Sequence, residues 1–166
     1  LYVINGNNGS IIWVYNTPTS GRTFSSPVVY DIDNDGNYEI FFGDYMTFYA
    51  VNSTGTPMWN ITLDWKIESS PALGDINNDG HLEIVFGTLN GTVYAISAEN
   101  GTTLWTHKTK PIHSSPALGD INKDGHLEIV IADAGGVIYA LNGSNGSEIW
   151  SYKLGSIIEV SPALAD

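Results

Sequence analysis

Three short stretches of this chain crowd oxygen-bearing side chains at alternate positions. They run Asp31-Ile32-Asp33-Asn34-Asp35-Gly36-Asn37-Tyr38-Glu39, Asp75-Ile76-Asn77-Asn78-Asp79-Gly80-His81-Leu82-Glu83 and Asp120-Ile121-Asn122-Lys123-Asp124-Gly125-His126-Leu127-Glu128. Positions 1, 3, 5 and 9 carry a carboxylate or an amide in every copy. Calcium takes six to eight oxygens at about 2.3–2.6 Å, and alternate residues of a tightly curled loop can all point inward. Glycine at position 6 permits the sharp turn. Position 7 then offers its backbone carbonyl, so Asn37, His81 and His126 need no particular side chain there. The acid at position 9 closes the cage and opens the next strand. Magnesium fits less well, because it prefers near-ideal octahedral geometry and keeps its waters. Ordinary Asp-Gly turn chemistry explains positions 5 and 6. It leaves the oxygens at 1, 3 and 9 unexplained in all three copies. A helical EF-hand is rejected, since the closing acid comes at position 9 rather than 12 and the flanks are β-rich. The expectation is three Ca²⁺ sites.

Charge agrees with that chemistry. The chain holds 18 acids against 6 bases, for a net charge of −12, and ten of the acids lie in the three loops. Three bound Ca²⁺ would bring the total to −6. So acidic a chain is a poor partner for nucleic acid, which must be met with cations, and for anionic membrane surface. No apolar stretch approaches the roughly 20 residues of a membrane helix, so no membrane insertion is expected. There is no cysteine, which excludes a disulfide framework and a thiolate metal site. With 42% of residues hydrophobic, the chain can bury a core.

The loops recur because everything around them recurs. Ser-Pro pairs stand at Ser26, Ser70, Ser115 and Ser161, spaced 44, 45 and 46 residues apart. Apolar runs follow the loops, a Tyr-initiated strand begins at Tyr2, Tyr49, Tyr94 and Tyr139, and each unit ends on Trp13, Trp59, Trp105 or Trp150. One period holds four short strand candidates, roughly 71–75, 82–87, 92–97 and 103–107 in one unit, separated by Asn-Gly and Asp-Gly turns that suit positive φ. Four strands every 45 residues or so describe an all-β propeller of four-stranded antiparallel blades. The second strand is apolar on both faces, as a strand flanked by neighbouring blades should be. The tryptophan is expected to staple neighbouring blades, since a ring of that size buries about 150–250 Å². The chain divides as one propeller segment, 1–166. Residues 1–24 form a partial blade, 25–68, 69–113 and 114–160 complete blades, and 161–166 the first strand of another. Opening on Leu1 inside an apolar run, it reads as a processed or excised piece.

The stretch Ser-Ser-Pro-Ala-Leu-Gly-Asp-Ile-Asn-x-Asp-Gly-His-Leu-Glu-Ile-Val, matched over 25–43, 69–87 and 114–132, resembles the FG-GAP (VCBS-type) repeat of integrin-like propellers. That resemblance implies calcium in the loop between the first two strands. The second half of each unit, Ala95 to Trp105, resembles the tryptophan-docking motif of quinoprotein (PQQ-type) propellers. Val3 to Trp13 and Ala140 to Trp150 match in length, and Ala50 to Trp59 is one residue short. In that family the motif locks blades together. The chain lacks the vicinal cysteines found in many quinoprotein dehydrogenases.

The same resemblances place a partner-binding surface opposite the calcium loops. It would carry Asp44-Tyr45-Met46, Leu89-Asn90 and Asp133-Ala134-Gly135, with Arg22, Asp64-Trp65-Lys66, His107 to His113 and Lys153 to Glu159. Tyr45 and Trp65 are the ligand-face candidates, Trp65 being the one tryptophan out of phase with the repeat. Sequons stand at Asn8, Asn52, Asn60, Asn90, Asn100, Asn142 and Asn145. Each is a glycosylation candidate, although Asn-Gly-Thr and Asn-Gly-Ser are also good turn sequences. Glycans and weak calcium sites suit a secreted or cell-surface protein. No nucleophile–base pair, phosphate loop or zinc motif is present. The expectation is a non-enzymatic scaffold for adhesion, binding or surface assembly. It would take a protein or glycan partner, or associate with itself through its terminal strands. A PQQ-like quinoprotein oxidoreductase, or a calcium-dependent polysaccharide-acting enzyme, is the alternative.

Overall fold

The computed structural model describes residues 1–18 and 24–165. Arg22 therefore lies outside the described residues. Fourteen strands are seen among them, grouped in one two-stranded and three four-stranded sheets, with neighbouring strands paired antiparallel. The hairpin β1 (Tyr2–Ile4) and β2 (Ile11–Val14) comes first. The first full sheet runs β3 (Val28–Tyr30), β4 (Glu39–Asp44), β5 (Thr47–Val51) and β6 (Pro57–Thr62). The second runs β7 (Ala72–Gly74), β8 (Glu83–Gly87), β9 (Thr92–Ser97) and β10 (Thr103–Lys108). The third runs β11 (Ala117–Gly119), β12 (Glu128–Ala132), β13 (Val137–Asn142) and β14 (Glu148–Lys153). These are the expected blades, with first strands of only three residues. Residues 161–165 form no strand. A strand exists by pairing, and no strand among the described residues pairs with these.

The core lies between sheets rather than within them. Every residue of β4, β8 and β12 is buried. Strand β4 lies between the β1–β2 hairpin and the second sheet, β8 lies between the first and third sheets, and β12 packs on the second. Phe41, Phe48, Ile84, Phe86 and Ile96 fill the space between the first and second sheets, with the Phe48 and Phe86 rings stacked at 4.6 Å. Ile76, Val85, Trp105, Ile129, Ile131 and Leu141 fill the next space. At about 25 cal/mol per Å² of apolar area, these interleaved layers supply the main stabilising term.

The tryptophans close each layer at its rim. Trp13 donates its indole N–H to the Ser53 carbonyl at 2.9 Å, Trp59 to that of Ala98 at 3.0 Å, and Trp105 to that of Gly143 at 2.7 Å. Each ring also lies flat over a glycine of the following blade's last turn. A Cβ on Gly55, Gly101 or Gly146 would come 3.0, 2.8 or 2.4 Å from the ring's Cε3. Among the described residues no turn covers Trp150, which is 42% exposed, and the space over the corresponding Gly9 is open.

A second series of bonds runs through the Ser-Pro pairs. The amide of Ser26 donates to the hydroxyl of Ser70, that of Ser70 to Ser115, and that of Ser115 to Ser161, at 2.8, 3.0 and 2.9 Å. The marker that sets the repeat period is therefore itself a ladder from one blade to the next.

Candidate metal centres

Each aspartate-rich loop joins the first strand of a blade to the buried second strand. The three loops have nearly the same geometry. In the first, the amides of Asp35 and Gly36 donate to the two carboxylate oxygens of Asp31, at 3.1 and 3.0 Å. The Asp35 amide also reaches Asp33 Oδ1, and that of Asn37 reaches Asp35 Oδ1. The same bonds recur around Asp75, Asn77 and Asp79, and around Asp120, Asn122 and Asp124. Two left-handed residues make the curl possible. Position 4 has φ of 58°, 61° and 63° at Asn34, Asn78 and Lys123, and position 6 is a glycine at 86–87°. Glycine, and to a lesser degree asparagine, takes that conformation at low cost, and Lys123 shows that the loop also holds a lysine at position 4.

The closing acids come from the sheet. Glu39, Glu83 and Glu128 begin β4, β8 and β12 and are 5%, 2% and 0% exposed. Each turns one oxygen back to accept the amide of the position-2 isoleucine at 3.0–3.1 Å. Acid oxygens of Asp31, Asp33 and Glu39 lie within 4.8 Å of one another. In the other two loops, position 3 is an amide, and its Nδ2 donates to the position-5 carboxylate at 3.0 and 2.9 Å. Turning that amide over would present Oδ1 instead. Among the described residues only the first loop gathers three acid oxygens this closely, and its all-oxygen, anionic set fits a calcium ion. The second and third loops offer the same oxygen-bearing residue types at the same positions.

Electrostatics point the same way. Burial pushes the Glu83 carboxyl up to about 7, with Asp79 and Asp75 adding to the rise against the opposing Ile76 amide. Burial raises Glu39 as well, with Asp33, Asp35 and Asp31 contributing. Asp79 and Asp124 are held below the usual range, chiefly by the amides of His81 and His126. A buried carboxylate beside others of like charge is relieved either by a proton or by a cation. In metal-free protein the sign is definite. Folded Glu83 keeps a proton that the unfolded chain has already released above its ordinary value of 4.5, so stability falls as pH rises from there toward about 7. Urea unfolding in chelator at pH 5 and pH 7 should show this loss. Glu83→Gln, which cannot ionise, should flatten it.

The two position-7 histidines direct their rings to residues outside their own loops, as suits positions whose backbone would serve. His81 Nδ1 meets Glu99 at 2.6 Å, and His126 Nδ1 meets the Asn78 amide at 3.1 Å.

The face opposite the loops carries Tyr45 and Trp65. Trp65 is 54% exposed. Tyr45 sits at φ 56° in the β4–β5 turn, a costly conformation for a bulky residue. Its carbonyl accepts the Ile67 amide at 2.7 Å, and the Lys66 ammonium lies 5.2 Å from its ring centre. Asp44 and Asp133, expected on this surface, are instead fully buried. Asp133 accepts from the amides of Gly135, Val137 and Lys110 and from the Tyr139 hydroxyl. A turn whose amides converge draws its acid inward, so Asp133 serves the fold.

Six of the seven sequon asparagines, all but Asn60, use Oδ1 to accept the amide two residues on. That residue is the sequon's own Ser or Thr. The turn therefore explains the spacing by itself. Asn60 lies on β6.

Comparison with known families decides the lineage. The family model described as outer membrane protein assembly factor BamB matches residues 1–161. This chain belongs to the BamB family. A search of curated proteins finds no match. Among solved structures, the BamB-family chain is similar to BamB from Moraxella catarrhalis, with TM-score 0.69 and 22% identity over 95% of this chain and 45% of that one. It is also similar to the computationally designed Ika8 protein, with TM-score 0.74 and 13% identity over 99% and 46%. A third is the quinohemoprotein alcohol dehydrogenase from Comamonas testosteroni, with TM-score 0.65 and 17% identity over 84% and 22%. These likenesses show the PQQ-like propeller fold. The BamB-family chain spans less than half the length of each of the three.

Proposed function

We propose that this BamB-family segment is a calcium-stabilised, non-enzymatic scaffold of the cell envelope or surface that presents the face opposite its metal loops to a protein or glycan. The observation that carries this reading is the triple repetition of an all-oxygen loop closed by a buried glutamate. The resemblance of the same stretches to FG-GAP repeats supports it. The family name, an outer membrane assembly factor, supports a protein partner and an envelope location. The exposed Trp65 and the strained Tyr45 support that face as the contact surface. Calorimetric titration with CaCl₂ tests the metal reading. Three ions per chain are expected, and none would overturn it. Binding to a glycan array by the wild-type chain, lost in Trp65→Ala, tests the face for saccharides.

Self-association is part of the same proposal. The undocked Trp150 and the bare Gly9 turn are the two halves of the lock that joins blades elsewhere. Light scattering should show mass rising with concentration, and Trp150→Ala should abolish the rise. A wild-type monomer at all concentrations would remove this element.

The quinoprotein reading is favoured by one observation, the likeness to a quinohemoprotein dehydrogenase, of which this chain covers 22%. Dye-linked alcohol oxidation on addition of pyrroloquinoline quinone would establish it.

A further inference from the structure

The calcium loops are not independent of one another. Asn78, at position 4 of the second loop, directs its side-chain amide at the third. Nδ2 donates to the Gly125 carbonyl at 3.0 Å and lies 3.1 Å from His126 Nδ1. The Gly125–His126 peptide is thereby held at both ends, because its N–H donates to Asp124 at 2.8 Å. The aim of Asn78 is in turn set by its own loop. It stands at φ 61° between Asn77, whose Oδ1 accepts the Asp79 amide, and Asp79, whose amide also reaches Asp75. Below this contact the two loops share a packed floor. Ile76 is 1% exposed in the same cluster as Leu127, and a Cβ on Gly143 would lie 2.2 Å from the Leu127 carbonyl and 2.4 Å from that of Ile76.

We propose that Asn78 couples the second and third calcium loops, so that an ion in one raises the affinity of the other. The proposal rests on the calcium reading above. Gathering Asp75, Asn77 and Asp79 around an ion fixes the backbone at Asn78. Its side chain then fixes the peptide that leads to position 7 of the third loop. The reverse holds by linkage. The first pair of loops lacks this connection. Asn34 has the same conformation and lines a cleft with Gly80 and His81, but His81 is taken by Glu99. No hydrogen bond joins Asn34 to the second loop among the described residues.

The test is calorimetric titration of the whole chain with CaCl₂, comparing wild type with Asn78→Gly, Asn78→Lys and Asn34→Gly. Glycine keeps the left-handed backbone, and lysine occupies the equivalent position at Lys123, so neither change should disturb folding. Wild type should bind three ions with a Hill coefficient above 1, reflecting coupling of about fivefold between two sites. Both Asn78 variants should still bind three ions and lose the cooperativity, while Asn34→Gly should match wild type. Three ions with an unchanged isotherm in the Asn78 variants would overturn the coupling and leave the calcium sites standing. Loss of an ion from those variants would also overturn it, by making Asn78 a support of its own loop. No ion bound by wild type would sink the calcium reading itself.

Discussion

Adding excess EGTA to the calcium-loaded chain is expected to lower its melting temperature by roughly 15–30 °C. A ligand held only by the folded state, at 100 times its dissociation constant, stabilises by about 2.7 kcal/mol, so three sites contribute about 8 kcal/mol. In a chain of this size each kcal/mol moves the midpoint by about 2–4 °C. The metal-free state also leaves Asp31, Asp33 and Glu39 within 4.8 Å of one another, with Glu39 buried at the start of β4. Differential scanning calorimetry in calcium and in EGTA measures the shift. Identical midpoints in the two buffers would show that these loops are turns and nothing more. The double variant Asp75→Asn with Asp120→Asn should lose about two thirds of the effect, since it cripples two of the three proposed cages.

The second large effect concerns the tryptophan locks. Trp105→Ala is expected to cost about 3–5 kcal/mol, the usual range for removing a large buried aromatic side chain. Trp105 is 9% exposed and packs between the second and third blades, with its N–H satisfied by Gly143. Gly146→Ala should be damaging for a separate reason. The residue stands at φ 71°, where a side chain costs about 1–2 kcal/mol, and its new Cβ would lie 2.4 Å from the Trp105 ring. Trp150→Ala is the internal control. The same residue type at the same repeat position, but 42% exposed, should change stability by no more than about 0.5 kcal/mol when measured at a concentration dilute enough to keep the chain monomeric. Urea titration of the three variants decides the matter. Equal costs at Trp105 and Trp150 would mean that the ring acts within its own blade, not between blades.

Much of this molecule was legible from residue order. The period was visible because each blade solves one packing problem with the same residues. A proline starts the inner strand, a glycine-bearing loop turns the chain, an apolar run is buried on both faces, and an indole closes the rim. Local turn chemistry was equally readable, since positive φ restricts the choice of residue at Gly36, Gly80 and Gly125. The oxygen pattern at positions 1, 3, 5 and 9 was apparent because a curled loop needs it at fixed spacing.

Contacts between blades were not legible, and they decide the rest. Nothing in the order of residues says that Ser26 bonds Ser70, that Asn78 reaches Gly125, or that Asp133 turns inward to four donors while Trp65 stays in water. Such pairs stand up to 47 residues apart, and their partners are fixed only when whole sheets stack. A repeating sequence thus determines each blade and its loops by short-range sterics and hydrogen bonding. Which equivalent side chains become buried acceptors, bridges or exposed surface depends on the neighbour each one meets.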